Sequence, residues 1–203
     1  MSVQCAHLIR SLPISLLSRL SSVSILLPFA TLAIVTGPTP SHPSVAVASV
    51  ILNNMSALPD THADSATVLL LTREARARLA GCGYPVPSDS APSITAAHPG
   101  SSYLWEHPDV VAQWGVEQHA DWVLLSRLNR IGPWVAEWEV QVISTAKQQA
   151  VSTRVVELKG ISRDTSLTAH LSTRGAAWLV DQATQSISHS SGDTTAAGRP
   201  CHA

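Results

Sequence analysis

The chain opens, after residue 41, with an apolar run followed by an amphipathic segment. Residues 44–52 (SVAVASVIL) are continuously apolar and rich in β-branched residues, which is typical of a buried strand. Further apolar residues then recur at three- and four-residue spacing: Val68, Leu71, Ala75 and Leu79. This spacing predicts a helix that Asp60 or Asp64 caps and that Gly81 and Gly83 end.

Residues 84–115 carry weaker signals. Tyr84-Pro85-Val86 predicts the start of a short second strand, and residues 87–101 (PSDSAPSITAAHPGS) predict a mobile loop. Pro108 suits the first turn of a second helix, because its missing N–H has no intrahelical partner at that position. Gly115 is predicted to end this helix as its C-cap.

The next part of the chain predicts three antiparallel strands, and a period of two over residues 134–144 indicates one packed face and one mostly solvated face. The strands are expected at residues 122–129, 134–144 and 149–159, joined by a tight connection at residues 130–133 (RIGP) and a polar turn at 145–148 (TAKQ). If Ser144 pairs with Gln149, then Glu139 faces Arg154 across the sheet. The sequence therefore predicts an ion pair between Glu139 and Arg154 that holds the register.

A last helix is predicted at residues 164–188. Its apolar residues form one stripe, with Gly175 as a potential interruption: Leu167, Leu171, Ala176, Leu179, Ala183 and Ile187. The order of elements predicts an α/β (α+β) fold, with a mixed sheet, a C-terminal antiparallel meander and three helices packed on it. Residues 42–188 are interpreted as a single domain, and residues 189–203, which lack periodicity, as a disordered tail.

Residues 1–41 have the pattern of a secretory signal peptide. Two basic residues, Arg10 and Arg19, precede a thirteen-residue apolar run, Val23–Val35, and small residues follow from Gly37. The run is too short to span a bilayer as a helix, and Pro28 interrupts its hydrogen bonding. We expect a cleaved signal and a periplasmic or secreted mature chain, with no stable membrane span after signal removal. An uncleaved interfacial anchor is the alternative.

Composition and cysteine content narrow the function classes. Charged residues make up 13% of the 203 residues, which disfavours a coiled coil, a highly charged disordered chain and a polybasic nucleic-acid binder. Cys5 lies in the predicted signal, which leaves Cys82 and Cys201 to pair in an oxidising compartment. The alternative is an unpaired or intermolecular thiol at Cys201.

Several segments resemble a known group of bacterial proteins. They are the opening strand, the helix after it, and the stretch EHPDVVAQWGVEQHADWVLLSRLNRIGPWVAEWEVQVIS that leads to VSTRVVELKG. Together they resemble an uncharacterised family of secreted proteobacterial proteins, which is similar in fold to the N-terminal domains of TolB and of the curli-secretion lipoprotein CsgG. Residues 120–124 (ADWVL) match a strand of that family, whereas the turn STAKQQ lacks its Asp and Gly. The resemblance implies a periplasmic α/β domain and transfers no catalytic residue.

The histidines and nucleophiles do not form a recognisable catalytic or metal-binding motif. Nine histidines are present, but no H-x-x-x-H or H-E-x-x-H places two on one helix face. No G-x-S-x-G marks a nucleophile, and Gly81-Cys82-Gly83 is better explained as a helix end than as a phosphate loop. We therefore expect no metal, no cofactor and no catalytic residue.

Six tryptophans against one phenylalanine are the most unusual feature of the composition. Most are expected in the core, as with Trp122 and Trp138, whereas Trp134 is expected to be partly exposed beside the turn. Arg127, Asn129, Arg130 and Trp134 then become candidate partner-binding residues at a recognition tip. The competing interpretation makes Trp134 part of the buried face and Arg130 a solvated turn residue.

Three functional hypotheses follow from these observations. The first is a periplasmic non-catalytic domain that binds another cell-envelope protein, as the resemblance implies. The second is a small-molecule-binding module that uses a tryptophan-lined face. The third is a periplasmic hydrolase whose site is not recognised from the sequence.

The apolar run at Val23–Val35 predicts removal of the N-terminal segment during export. Intact-mass analysis of the protein from its native cell should give a new N-terminus between Thr36 and Ser49. Recovery of the full-length chain from the cytosol would contradict the prediction.

Overall fold

A computed structural model describes residues 42–88, 94–98, 102–159 and 165–192. Its helices and strands, in chain order, are β1 (Val45–Val47), β2 (Ile51–Asn54), α1 (His62–Gly81), α2 (Ile94–Ala97), α3 (Tyr103–Glu106), α4 (Pro108–Glu117), β3 (Trp122–Arg130), β4 (Val135–Ser144), β5 (Gln149–Lys159) and α5 (Thr165–Ser191). The predicted signal peptide lies outside the described residues, as do residues 193–203 of the predicted tail. Helix α5 itself continues past Ser188 to Ser191.

The sheet is mixed and five-stranded, which confirms the predicted fold class. The described residues form five helices and not the predicted three, because residues 94–97 and 103–106 each form a short helix. Strand β3 is central: β1 and β2 both pair with it in parallel, and β4 pairs with its other edge antiparallel. Strand β5 then continues the antiparallel meander. The opening apolar run forms two short strands rather than one, because the chain leaves the ladder between Val47 and Ile51. There the Val50 N–H donates to Thr72 Oγ1 of α1 at 3.0 Å.

Each face of the sheet carries its own hydrophobic cluster. Helices α1 and α5 cover one face, with Leu71, Leu79 and Leu179 packed against Trp138 and Leu124 of the strands. The second cluster is built from α2, α3, α4 and the other face of β3 and β4, and its buried residues include Ile94, Leu104, Val111, Val123 and Ile143. Burial on both faces explains why β3 reads as an almost continuous apolar run in its first half.

Helix α1 begins with a capping box. Thr61 is the N-cap: the Asp64 N–H donates to Thr61 Oγ1 at 3.3 Å, and the Thr61 N–H donates to Asp64 Oδ2 at 2.8 Å. Asp64 was one of the two predicted caps, but it acts from the third helical position rather than as the cap itself. The prediction of Asp60 as a cap is wrong, since Asp60 lies in the preceding loop.

Two glycines that were predicted to end or interrupt helices lie inside them. Gly115 is within α4 rather than at its C-cap, and a Cβ built there would lie 2.4 Å from Val123 Cγ2 and 2.7 Å from Thr145 Cγ2. Gly175 lies within the unbroken α5, where a Cβ would be 3.2 Å from Leu158 Cδ2. Both glycines therefore permit close helix-to-sheet packing and do not act as breakers.

The predicted ion pair between Glu139 and Arg154 does not form. Ser144 does pair with Gln149, but the register changes by one residue at a bulge between Val142 and Ile143. On the side of the bulge away from the turn, each β4 residue lies opposite the β5 residue one position later than predicted. Glu139 therefore lies opposite Val155, and its carboxylate pairs with Arg127 on β3 instead. A bulge inserts an unpaired residue into one strand, which moves every later side chain by one position.

Other predictions about local elements have mixed outcomes. Residues 84–86 form no strand, although the Val45 N–H donates to Pro85 O at 2.9 Å. Part of the predicted 87–101 loop is the short helix α2. Cys82 follows α1 and is disulfide-bonded; Cys5 and Cys201 lie outside the described residues, so pairing with Cys201 stays a prediction.

No helix within the described ranges is both long and apolar enough to cross a membrane.

The apolar stripe of α5 packs on one face of the sheet, so a charged side chain placed in this stripe should unfold the domain. Leu179 is 2% exposed and packs in the first cluster, whereas Leu69 on α1 is 70% exposed. We expect Leu179→Asp to lower the free energy of unfolding by about 3–5 kcal/mol, because an unpaired carboxylate would lose its hydration. The matched variant Leu69→Asp should cost less than about 0.5 kcal/mol. Equal melting temperatures for the two variants would show that α5 is peripheral.

Candidate interaction surface

Two connections meet at one end of the sheet. The loop at residues 55–61 joins β2 to α1, and the turn at residues 131–134 joins β3 to β4. Strand β2 ends with Asn54 paired to Arg130, the last residue of β3. Directly after it, the Met55 N–H donates to Arg130 O at 3.0 Å. The parallel pairing of β2 and β3 therefore brings the two connections together.

Hydrogen bonds from the buried Arg130 side chain hold the 55–61 loop in position. The side chain is only 6% exposed, and its guanidinium forms an ion pair with Asp64, which is also buried. Its remaining donors go to the loop and to the end of β2: Leu58 O at 2.7 Å, Pro59 O at 2.9 Å, Ser56 Oγ at 3.2 Å and Asn54 Oδ1 at 3.3 Å. A buried guanidinium is stable only when its donors are paired, so the loop backbone is held in the conformation that supplies those acceptors.

Asp64 links this ion pair to the start of α1. Its Oδ2 accepts from the Thr61 N–H and the Thr61 hydroxyl, both at 2.8 Å, as well as from Arg130. One carboxylate thus completes the helix cap and neutralises the arginine. The positions of α1, the 55–61 loop and β3 are coupled through this group.

Large apolar side chains lie exposed on the two connections. Their exposed fractions are 65% for Met55, 48% for Leu58, 47% for Ile131 and 48% for Trp134. We call these four residues the apolar tip. Isolated exposed apolar residues are common on protein surfaces, but these four lie on two adjoining connections, and contiguous apolar patches mark interaction sites.

The structure separates the four predicted partner-binding residues. Trp134 is exposed, as expected, and belongs to the apolar tip. Arg130 is buried beneath the tip, so it is neither an exposed contact nor a solvated turn residue. The direction of its side chain follows from the alternation of β3, since Arg130 lies on the same face as Leu128 and Trp122, the face that α1 and α5 cover.

Arg127 and Asn129 lie on the opposite face of β3 in a separate polar network. The Arg127 Nε donates to Glu139 Oε2 at 2.7 Å, and the Asn129 Nδ2 donates to the same oxygen at 3.1 Å. The Arg127 guanidinium also lies 4.1 Å above the Trp105 ring. These contacts stabilise the sheet and α3, and they do not place Arg127 or Asn129 beside Trp134. Whether any of the four residues binds a partner stays a prediction.

Met55 and Leu58 were missed as candidate residues. They lie more than seventy positions before Arg130 in the chain, and only the pairing of β2 with β3 brings them beside it. The Thr61-x-x-Asp64 pattern was a readable capping-box signal for the start of α1. Nothing local to it indicates that Asp64 also pairs with Arg130.

Three of the described histidines lie against tyrosine rings. His98 stacks on Tyr103 with ring centroids 5.2 Å apart, and His42 stacks on Tyr84 at 4.6 Å. The His107 ring is tilted against Tyr103, with centroids 4.4 Å apart. In the described part of the chain, no three His, Cys, Asp or Glu residues are grouped so that they could hold a metal ion.

Comparison with known proteins finds similar folds at low identity. No family model matches the chain, and no curated protein matches it. Among solved structures, protein XCC0632 from Xanthomonas campestris, assigned to DUF330, is 16% identical with a TM-score of 0.46, covering 76% of this chain and 93% of that one. The LpoB C-terminal domain from Salmonella enterica is 13% identical with a TM-score of 0.41, covering 60% of this chain and 86% of that one.

TolB from Acinetobacter baumannii is also similar, at 15% identity and a TM-score of 0.43. The match covers 72% of this chain but only 28% of TolB. At these identities and TM-scores, no activity, partner or site is transferred from these proteins to this chain.

The buried ion pair predicts a large loss of stability when one partner is removed. Arg130→Met should lower the free energy of unfolding by about 3–5 kcal/mol, because Asp64 would remain buried without its counter-ion. Arg154→Met, at an exposed position on β5, is the matched control and should change it by less than about 0.5 kcal/mol. Urea unfolding of the two variants measures the difference. Similar midpoints would mean that the loop rearranges to hydrate Asp64.

Proposed function

We propose that this chain is a non-catalytic domain of the cell envelope that binds another envelope protein through the apolar tip. The observation that carries the proposal is the exposure of Met55, Leu58, Ile131 and Trp134 on two connections that Arg130 holds together. The envelope location depends on the secretion signal predicted at residues 1–41.

The fixed backbone beneath the tip supports this proposal. Ordering a loop on binding lowers affinity, because its conformational entropy is lost at that moment. Here the main-chain oxygens of Leu58 and Pro59 are already bound to the Arg130 guanidinium at 2.7 and 2.9 Å. A partner can therefore contact the loop without first ordering it.

Trp134 supports the proposal by its residue type and position. Tryptophan is enriched among the residues that dominate binding energy, because burying an indole removes a large apolar area from water. Trp134 is half exposed, and Ile131, which lies across the same turn, is exposed to a similar degree. The exposed part of the Trp134 side chain could therefore be buried against a partner.

The small-molecule alternative has less support from the tryptophans. Trp122 and Trp138 are buried in the core on the face that α1 and α5 cover. Trp105 carries the Arg127 guanidinium over its ring. These three of the six tryptophans therefore do not offer an exposed face to such a ligand.

The proposal predicts that Trp134 contributes much of the binding energy. First, a photoreactive phenylalanine analogue at position 131, incorporated in the native cell, should crosslink one envelope protein, which mass spectrometry identifies. The same analogue at Leu69, which is exposed on α1, should not crosslink it. With that partner purified, Trp134→Ala should raise the Kd at least about 30-fold, as expected for an interface hot spot.

Trp178→Ala is the matched control, because Trp178 on α5 is 44% exposed, close to the value for Trp134. It should leave the Kd unchanged. The proposal would be wrong if positions 131 and 69 crosslinked the same proteins, or if Trp134→Ala and Trp178→Ala bound the partner equally well.

A further inference from the structure

Cys82 takes part in a bond that the proposed function does not use. It is disulfide-bonded, and it is the only cysteine of the described ranges. The other two cysteines of the sequence are Cys5 and Cys201, so the sulfur bound to Cys82 belongs to one of them. The disulfide therefore links the end of α1 to a cysteine near one end of the chain.

The end of α1 holds Cys82 in a defined position. The Cys82 N–H donates to Arg78 O at 3.0 Å, and its partly buried side chain packs against the first hydrophobic cluster. The next residue, Gly83, has a φ of +83°, and the Tyr84 N–H donates to Leu79 O at 3.1 Å. Such a turn pairs carbonyl groups of the last helical turn. A bond to Cys82 therefore ties its partner to the folded domain.

The first residues after the predicted signal lie beside the same helix end. The His42 ring stacks on Tyr84, with ring centroids 4.6 Å apart. The Val45 N–H donates to Pro85 O at 2.9 Å. The start of the predicted mature chain therefore packs against the segment that follows Cys82, and the two ends of a single domain often lie close together.

Export distinguishes between the two candidate partners. Thiols are kept reduced in the cytosol, so Cys82 reaches the oxidising compartment as a free thiol. Cys5 precedes the apolar run of the predicted signal and leaves the chain when the signal is cleaved. Cys201 is then the cysteine that remains for Cys82.

We infer that Cys82 and Cys201 form an intramolecular disulfide in the exported chain, which ties the C-terminal segment to the end of α1. The two thiols give up two protons and two electrons, and a protein disulfide of the oxidising compartment takes up both and becomes a dithiol. The bond closes a loop of more than one hundred residues. Closing a long loop restricts the unfolded chain, so the bond stabilises the folded domain.

This inference goes beyond the proposed function and does not depend on the apolar tip. Helix α1 has 20 residues and is therefore about 30 Å long. It begins after Thr61, beside the tip, and ends before Cys82, so the disulfide and the tip lie at opposite ends of the helix. Partner binding at one end and closure at the other are therefore tested separately.

The test counts free thiols in the mature protein from its native cell, trapped with N-ethylmaleimide under denaturing conditions. We expect no labelled thiol before reduction and two after it, and a cross-linked peptide that contains Cys82 and Cys201. Cys201→Ser should leave one labelled thiol, at Cys82, and lower the Tm by about 5 °C or more. Cys5→Ser is the matched control and should change neither the thiol count nor the Tm.

Three results would overturn the pairing: two labelled thiols in the unreduced mature protein, a cross-linked peptide that contains Cys5, or a bond that joins two chains on a non-reducing gel. The labelling of the unchanged protein decides the pairing even where Cys201→Ser does not fold. Reduction of the unchanged protein should lower its Tm to that of Cys201→Ser. An equal Tm before and after reduction would overturn the stabilising role of the bond.

Discussion

The ion pair between Arg130 and Asp64 is the interaction on which the candidate surface depends. Two opposite charges removed from water are stable together only when their remaining donors and acceptors are also paired. Here those partners are the Thr61 cap and the carbonyl groups of Leu58 and Pro59. Because the buried Arg130 needs these acceptors, it fixes the path of the 55–61 loop. The same ion pair joins the start of α1 to the end of β3.

The two-residue alternation of β3 gives neighbouring polar residues different roles. Arg130 points to the face that α1 and α5 cover, where water is excluded and the loop supplies its acceptors. Arg127 and Asn129 point to the other face, where Glu139 accepts from both. The three residues are close in the sequence but do not form one site, because the alternation of the strand places Arg130 on the face opposite Arg127 and Asn129.

The parts of the fold that depend on local pattern could be predicted, and those that depend on distant contacts could not. Strand and turn signals located β3, β4 and β5, with a period of two in β4, and the apolar stripe located α5. The bulge at Val142/Ile143 and the close approach of Val123 to Gly115 arise from packing between elements, and no local pattern encodes them. For the candidate site, the exposure of Trp134 was one of two interpretations that the sequence left open. The burial of Arg130 required Asp64, which is 66 residues away.

The chemistry of the Arg130 contacts also bears on why the tip is apolar. Arg130 binds the main-chain oxygens at positions 58 and 59, not the Leu58 side chain, and Met55 is held through its backbone N–H. Polar side chains at positions 55 and 58 would leave all of these bonds intact. The fold therefore does not require exposed apolar side chains there, whereas a binding surface does, since apolar area removed from water on contact is its main source of affinity.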